Sequence, residues 1–376
     1  MNPQEIFCPN IDCPARGQIG KGNLSVHSQQ EKRYLCGVCE KTFSATRGTI
    51  FYRLRSNAQT VMGKLVCTVI TLLAYGCPLQ AIVQAFGFDE RTIKNWWQRS
   101  GEHCRVVHEH LVGGRSLDLQ QAQADEIKVK GQGCSYWMAL AMMVPTRLWL
   151  GGAISPQRDL DLIQALADQI RQIALCRDLL LAVDGLGSYV KAFRRAFRTP
   201  LREGRQARPR MIAWPNIAIV QVVKQRKASG LTIQRRVVQG CRQMIERLLR
   251  LTQGAGVINT AYIERLNATF RQRLAWLTRR TRNLAQQTET LLAGMFVVGC
   301  FYNFCDNHHS LRLKLSVGQR GYRWVQRTPA MAAGLTDHRW SVAELFHLKV
   351  PPPRWTPANR RGRPSGELLK LIERWC

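Results

Sequence analysis

Four cysteines fall in two short pairs within the first forty residues. Cys8 and Cys13 have four residues between them, Cys36 and Cys39 have two, and twenty-two residues separate the pairs. Zinc takes four soft or borderline ligands at the corners of a tetrahedron, and two cysteine knuckles supply two each. A segment this small cannot fold on apolar burial alone, so a bound ion has to supply the folding free energy. Pro9, Pro14, Gly17, Gly20 and Gly22 provide turns, and Tyr34-Leu35 and Thr42-Phe43 read as short strands beside the second knuckle. His27 is a competing ligand, but the four cysteines already fill a tetrahedral site. Free thiols are the alternative, which the paired spacing disfavours.

The remaining chain is long and basic. Its 376 residues exceed one ordinary domain, and 45% of them are hydrophobic, which excludes wholesale disorder. Against 25 acidic residues stand 55 Lys and Arg, a net charge of +30 spread over nearly the whole length. Such a charge suits a polyanion, because each phosphate neutralised releases condensed counterions. A membrane is the other anionic partner, but the longest apolar run, Leu291 to Cys305, is about fifteen residues and a spanning helix needs ~20. The first ten residues lack the basic-then-apolar pattern of a signal peptide, so a cytoplasmic protein with no membrane contact is expected. Thirteen cysteines in such a setting read as metal ligands where clustered and buried thiols where scattered.

Behind the cysteine segment, apolar residues recur at helical spacing from Ala58 to Tyr75, and Leu79, Ile82, Val83 and Phe86 continue the pattern. Gly87-Phe88 breaks the chain, and Asp89 is a good N-cap for a helix from Glu90 to about Arg99. On that helix Ile93 and Trp96 or Trp97 face inward. Arg91, Thr92, Asn95 and Gln98 face out, with types suited to phosphates and base edges. An ordinary helical hairpin would give the same pattern. Its position behind a metal ribbon, in a chain this basic, favours a helix-turn-helix.

Acidic residues are scarce in the centre of the chain. Asp125 lies in QAQADEIKVKG, which reads as a strand, followed by strands at Tyr136–Val144 and Leu148–Ile154 and a helix at Leu160–Leu175. Leu179 to Val183 is an unbroken buried-strand run ending in Asp184-Gly185, which aims the carboxylate into a crevice. Glu264 follows Asn259-Thr260 at the opening of a long helix and shares one face with Asn267 and Arg271. Three strands, a helix, a strand, then further strand and a helix carrying Glu is the ribonuclease-H-like order. Two Asp on neighbouring strands and a Glu from a covering helix supply the hard oxygens that a pair of divalent cations needs. The alternatives are local ones. Glu126 competes with Asp125, although Asp is the shorter and stiffer ligand and adjacent strand residues point to opposite faces. Asp184 could cap a turn, Glu264 could pair with Arg271, and His308-His309 could be a solvated turn.

The chain resembles a single-frame transposase of the insertion-sequence-one family and its DDE relatives. The residues that carry the likeness are the CPN…C…CxxC start, the helix-turn-helix, QADEI, AVDG, NTAYIERLNATFRQRL with Thr278 to Thr281, and YNFCDNHHSLR, spanning about Cys8 to Leu345. The resemblance implies that Asp125, Asp184 and Glu264 are the catalytic triad, served by Mg²⁺ or Mn²⁺ beside the structural Zn²⁺. It implies that Arg271, Arg273, Arg279 and Arg280 bind transposon-end DNA and that Asn303 and His308 sit near the active site. It further implies double-stranded DNA, both transposon ends and target, as partner, at least a dimer, and a prokaryotic, nucleoid-associated protein.

The expected layout is multidomain: a zinc ribbon at 1–50, a helix-turn-helix DNA-binding domain at 58–112, an α/β ribonuclease-H-like catalytic domain with a mixed sheet at 118–310, and a basic C-terminal extension at 311–376. Ile217–Val223 and Leu231–Val238 read as a strand pair around Gly230, and Thr199–Arg210 as a mobile basic loop. Pro351-Pro352-Pro353 marks a linker, and Leu368–Trp375 a short helix. Arg361-Gly362-Arg363-Pro364 reads equally as an AT-hook core, with Arg361 and Arg363 in a narrow minor groove, or as a basic tail. Besides a transposase, the residues fit a zinc-ribbon and helix-turn-helix regulator with an inert nuclease-like domain. A structure-specific nuclease is the third reading.

Overall fold

A computed structural model describes residues 2–54, 60–201, 209–227, 230–254, 256–279, 284–285, 287–317, 321–357 and 365–376. The chain divides into two compact units, Met1–Thr68 with Ala343–Cys376, and Val69–Val342. In the first unit β1 (Leu24–Ser28), β2 (Arg33–Cys36) and β3 (Thr42–Ser44) form an antiparallel sheet in that order. The expected strands around Tyr34 and Phe43 are therefore present, their rings stacked at 5.8 Å. The core is small, built from Leu24, Tyr34, Phe43 and the cysteines. The segment expected as a C-terminal extension contributes to it. The helix Gly366–Trp375 buries Trp375 among these side chains, and Gln18 Nε2 donates to the Trp375 carbonyl at 2.5 Å. His347 stacks its ring 4.8 Å from that of Phe51.

The second unit takes in the end of α1 (Val61–Ala74), then α2 (Leu79–Phe86) and α3 (Glu90–His108). Gly87 closes α2 in the left-handed region, and the Asp89 carboxylate accepts from the backbone of Arg91 and Thr92, as the sequence predicts. Phe88 sets its ring edge-on to Trp96 at 5.0 Å, which locks the turn. Where α3 was expected to end near Arg99, it runs nine residues further, to His108. Gly101 does not break it: a Cβ there would lie 2.3 Å from Cα of Ala293, so glycine lets a second helix pack against the backbone.

That neighbour is α8 (Thr288–Cys300). The intervening chain builds a mixed sheet from β4 (Gln121–Lys130), β5 (Ser135–Met143), β6 (Trp149–Ser155), β7 (Leu179–Asp184), β10 (Ile217–Lys227) and β11 (Gly230–Gln239), in the order β11-β10-β7-β4-β5-β6. Strands β4, β7 and β10 are parallel, and the outer pairings are antiparallel. The apolar run at 179–183 becomes β7, buried on both faces as a central parallel strand must be. α4 (Leu160–Ile173) and α5 (Gly187–Ala196) cover one face; α6 (Arg242–Gln253), α7 (Ala261–Arg273) and α8 (Thr288–Cys300) cover the other. The α5 and α6 segments carried no reading in the sequence. α6 is amphipathic and seats Ile245, Leu248 and Leu249 on Leu180, Ala182, Ala218 and Val220. The loop expected at 199–210 is replaced at its two ends by strand: β8 (Arg198–Leu201) pairs with β9 (Arg210–Ala213), and positions 202–208 lie outside the described residues. Two further strands, β12 (Leu313–Val317) and β13 (Gly321–Val325), form a separate ribbon.

After α8 the helix continues through a π-helical turn, Phe301–Cys305. The whole run Thr288–Leu311 is thereby long and apolar enough to cross a membrane, and it is the only such run among the described residues; 72% of its apolar window is buried inside the protein.

Substituting Gly101→Val is expected to lower stability by about 3 kcal/mol, the upper end of overpacking costs, because backbone rather than a flexible side chain would have to move. Gly187→Ala, where an added Cβ meets nothing within 4 Å, is the control and is expected to leave stability within ~0.5 kcal/mol. Chemical denaturation of the two variants checks the difference.

Candidate metal centres

The sulfur atoms of Cys8, Cys13, Cys36 and Cys39 all lie within 4.8 Å of one another. Cys8 and Cys39 are 3.7 Å apart, and Cys13 and Cys36 are 3.8 Å apart. A tetrahedral ion with metal–sulfur bonds of ~2.3 Å has sulfur–sulfur edges of ~3.8 Å, so the spacing fits zinc. The knuckles follow from local turns. Gly17, in the left-handed region, donates its N–H to the Cys8 carbonyl at 3.1 Å, and Glu40 donates to the Cys36 carbonyl at 2.8 Å. Asn23 Nδ2 adds a donor to the Cys36 sulfur at 3.7 Å. Burial pushes the Cys8 thiol up to about 12, with the charge of Cys36 adding, and burial likewise raises Cys13. Thiolates crowded in this way need a cation. His27 is exposed on β1 and stands outside the group.

The second group lies where β4 and β7 run parallel. The pairing of Gln121 with Leu180 and of Gln123 with Ala182 extends to Asp125 beside Asp184, on one face of the sheet. Asp125, Glu126 and Asp184 bring carboxylate oxygens within 4.8 Å of one another and could hold a metal ion. Glu264, in the first turn of α7, lines the same cleft of about 740 Å³ with Asp125 and Asp184, but it is not within that 4.8 Å group. Its Oε1 accepts from Lys224 Nζ at 2.5 Å and Thr260 Oγ1 at 2.7 Å. Burial raises its pKa, but these two donors outweigh burial and hold it below the ordinary value.

Two buried glutamines position α7, and the sequence reading passed over both. Gln123 donates Nε2 to the Asn259 carbonyl at 2.7 Å and accepts from Ile263 N at 3.0 Å, which fixes the start of the helix. Gln121 accepts from Thr252 and Gln253, and so ties α6 to the same strand. One turn beyond Glu264, the fully buried Asn267 donates Nδ2 to Asp125 Oδ2 at 2.8 Å. Its own Oδ1 finds no donor among the described residues.

Glu126 faces the opposite side of β4, as strand alternation requires, yet its carboxylate reaches the cluster. Tyr189 Oη donates to Glu126 Oε2 at 2.7 Å, and Arg158 Nε donates to Oε1 at 2.6 Å. Arg158 also reaches Asp184 Oδ2 at 3.2 Å and lies over the Trp137 ring at 5.0 Å. Neither Arg158 nor Tyr189 was singled out from sequence, because each meets the acids only through the fold. Burial pushes the Asp125 carboxyl up to about 7, and the charges of Glu126 and Asp184 add to this. Hard oxygens, negative charge that one arginine only partly offsets, and the orphaned amide oxygen of Asn267 together suit a divalent cation.

The remaining site candidates scatter. Arg91, Thr92 and Asn95 are exposed near the start of α3, and Gln98 is half-buried with Nε2 3.4 Å from Glu102. Arg271 and Arg279 line the carboxylate cleft. Arg273 is mostly buried, paired with Asp306 at 2.7 Å and lying over the Tyr75 ring at 4.4 Å. Arg280, Arg361 and Arg363 lie outside the described residues. Asn303 is wholly buried and bonds both backbone atoms of Trp149 at 2.9 Å, a structural clamp on β6. His308 stacks edge-on to Tyr302, and neither Asn303 nor His308 lines the cleft. No family model matches the chain, and no curated protein matches it.

Two measurements follow. Metal analysis is expected to find about one zinc per chain, and Cys13→Ser to lose it together with the fold of the first unit; a metal content near zero in the wild type would remove the ribbon. In magnesium-free buffer, Asp125 binds its proton more tightly when folded than unfolded. Its contribution to stability is therefore lost as pH rises from about 4 to about 7, and the loss is complete above that. Melting temperature against pH should show this decline, and Asp125→Asn should flatten it.

Proposed function

We propose that this chain is a DNA transposase of the DDE type, akin to the insertion-sequence-one family, that binds transposon ends and carries out metal-dependent cleavage and strand transfer. The observation that carries this reading is that Asp125, Asp184 and Glu264, from two neighbouring parallel strands and a covering helix, line one cleft in a chain of charge +30. The mixed sheet supports it: β6-β5-β4 antiparallel, then β7 and β10 parallel to β4, is the order expected of a ribonuclease-H-like domain.

Asp125 and Asp184 are the residues that would hold Mg²⁺ or Mn²⁺, with Glu264 as the third candidate ligand. A divalent cation supplies there the charge that activates an attacking hydroxyl and stabilises a leaving oxygen. The chain's own residues do the rest. Asn267 orients Asp125, and Gln123 sets α7 so that Glu264 faces the cleft. Arg271 and Arg279 line the same cleft and offer positive charge to a DNA backbone. The zinc ribbon and the exposed start of α3 are the candidates for recognising the DNA ends. Joining two ends calls for at least a dimer.

One observation favours the second reading, a DNA-binding regulator with an inert domain: Glu264 is engaged by Lys224 and Thr260 rather than by the aspartate pair. Purified protein with end-containing DNA separates the two. Mg²⁺-dependent strand transfer is expected, and Asp184→Ala or Glu264→Ala should lower it at least ~100-fold, about 2.7 kcal/mol of transition-state stabilisation, with DNA binding kept. Transfer that survives both substitutions discards the site, and binding without transfer in the wild type selects the regulator.

A further inference from the structure

The ribbon formed by β12 and β13 has a use that the cleft does not account for. Between Asp306 and Asp337 the chain carries five cations and no acid. Pairing of Lys314 with Trp324 and of Ser316 with Tyr322 sets Arg312, Lys314, Tyr322 and Trp324 on one face of the ribbon. Leu313, Leu315 and Arg323 take the other. The rings are exposed, Tyr322 at 58% and Trp324 at 38%. They are already matched to cations: Arg312 lies 4.0 Å from the Trp324 ring centre and Lys314 lies 4.2 Å from that of Tyr322. The base of the ribbon is pinned, with Arg327 Nε donating to the Leu311 carbonyl at 2.8 Å and His308 N to the Arg327 carbonyl at 2.9 Å.

Exposed aromatic rings cost solvation, and a two-stranded ribbon is too thin to bury them within itself. A partner that offers flat π faces and negative charge together would cover both rings and cations. A nucleic-acid strand with unpaired bases does so, since its bases stack on aromatic rings and its phosphates pair with nearby cations. An intact duplex offers only the charge, because its base faces are already stacked.

We propose that the β12–β13 ribbon is a wing that grips a DNA strand with unpaired bases, taking phosphates on Arg312 and Lys314 and a base against Tyr322 or Trp324. The inference rests on the proposed function only in taking DNA as the polymer.

Fluorescence anisotropy with a labelled oligo-dT 20-mer and a blunt duplex of equal length, in magnesium-free buffer, tests it. Tyr322→Ala with Trp324→Ala should weaken single-strand binding roughly 5- to 150-fold, with a smaller effect on the duplex. Tyr322→Phe with Trp324→Phe should bind as the wild type does, which separates stacking from misfolding. Arg312→Gln with Lys314→Gln should flatten the slope of log affinity against log salt by about 1.4, two phosphates' worth on a single strand. Single-strand binding and salt slope unchanged in both double variants would overturn the proposal. So would loss of a dimer on light scattering with DNA affinity intact, which would make the ribbon a protein interface. Strand transfer is read separately, so a wing that binds DNA in a protein without transfer sinks the transposase reading alone, and the converse sinks only the wing.

Discussion

Carboxylates crowded on two neighbouring parallel strands repel one another, and the second unit is arranged to hold them there. Asp125 and Asp184 are neighbours because β4 and β7 run parallel in a register that sets position 125 beside 184. The repulsion is visible in Asp125, whose carboxyl is pushed up to about 7 by burial first and by the adjacent acids second. Some of it is relieved by Arg158, which spans Glu126 and Asp184, and by Tyr189, which takes the far oxygen of Glu126. Buried charges are tolerated only when paired and hydrogen-bonded. Here each Glu126 oxygen takes a donor on the α5 side of the sheet, whereas Asp125 takes Asn267 from the α7 side, where the cleft lies.

The same logic in softer atoms organises the cysteine group. Four sulfurs at 3.7–3.8 Å across opposite pairs are a tetrahedron in waiting, and the three-stranded sheet around them buries too few apolar side chains to stand alone. The C-terminal helix adds Trp375 to that core. No spacing rule could have announced this, because the two segments are more than 300 residues apart in the chain and only the fold brings them together.

What sequence made legible was what depends on local pattern. The apolar run before Asp184, the cap at Asp89 and the alternation through β4 all act within a few residues, and each appears where the pattern puts it. The end of α3 was not legible for the opposite reason: what packs at Gly101 is Ala293, nearly two hundred positions away. Glu126 misled more subtly. Strand alternation does send it to the other face, but a glutamate is long enough to bring its oxygens back toward Asp125 once Arg158 and Tyr189 hold it. Gln121 and Gln123 did leave a signal, since polar side chains at alternate positions of an otherwise apolar strand demand buried partners. Those partners are the ends of α6 and α7.

Glu264 is the point at which magnitudes decide. Its tie to Lys224 joins side chains 44% and 42% exposed, and exposed ion pairs contribute only ~0.2–1 kcal/mol. Thr260 adds one neutral donor to a charged acceptor, about 1.5–3 kcal/mol when buried and less where water competes. Beside this weak hold stand Asp125 and Asp184, the latter sharing Arg158 with Glu126, in a cleft whose walls are fixed by Gln123 and Asn267. A divalent charge at the aspartates would draw on Glu264 more strongly than one half-exposed lysine does, and the rest of α7 would not need to move, since Ile263, Leu266 and Phe270 stay anchored in the core. If the proposed function holds, the backbone of α7 is thus preset, and only the Glu264 carboxylate would have to exchange Lys224 and Thr260 for an ion.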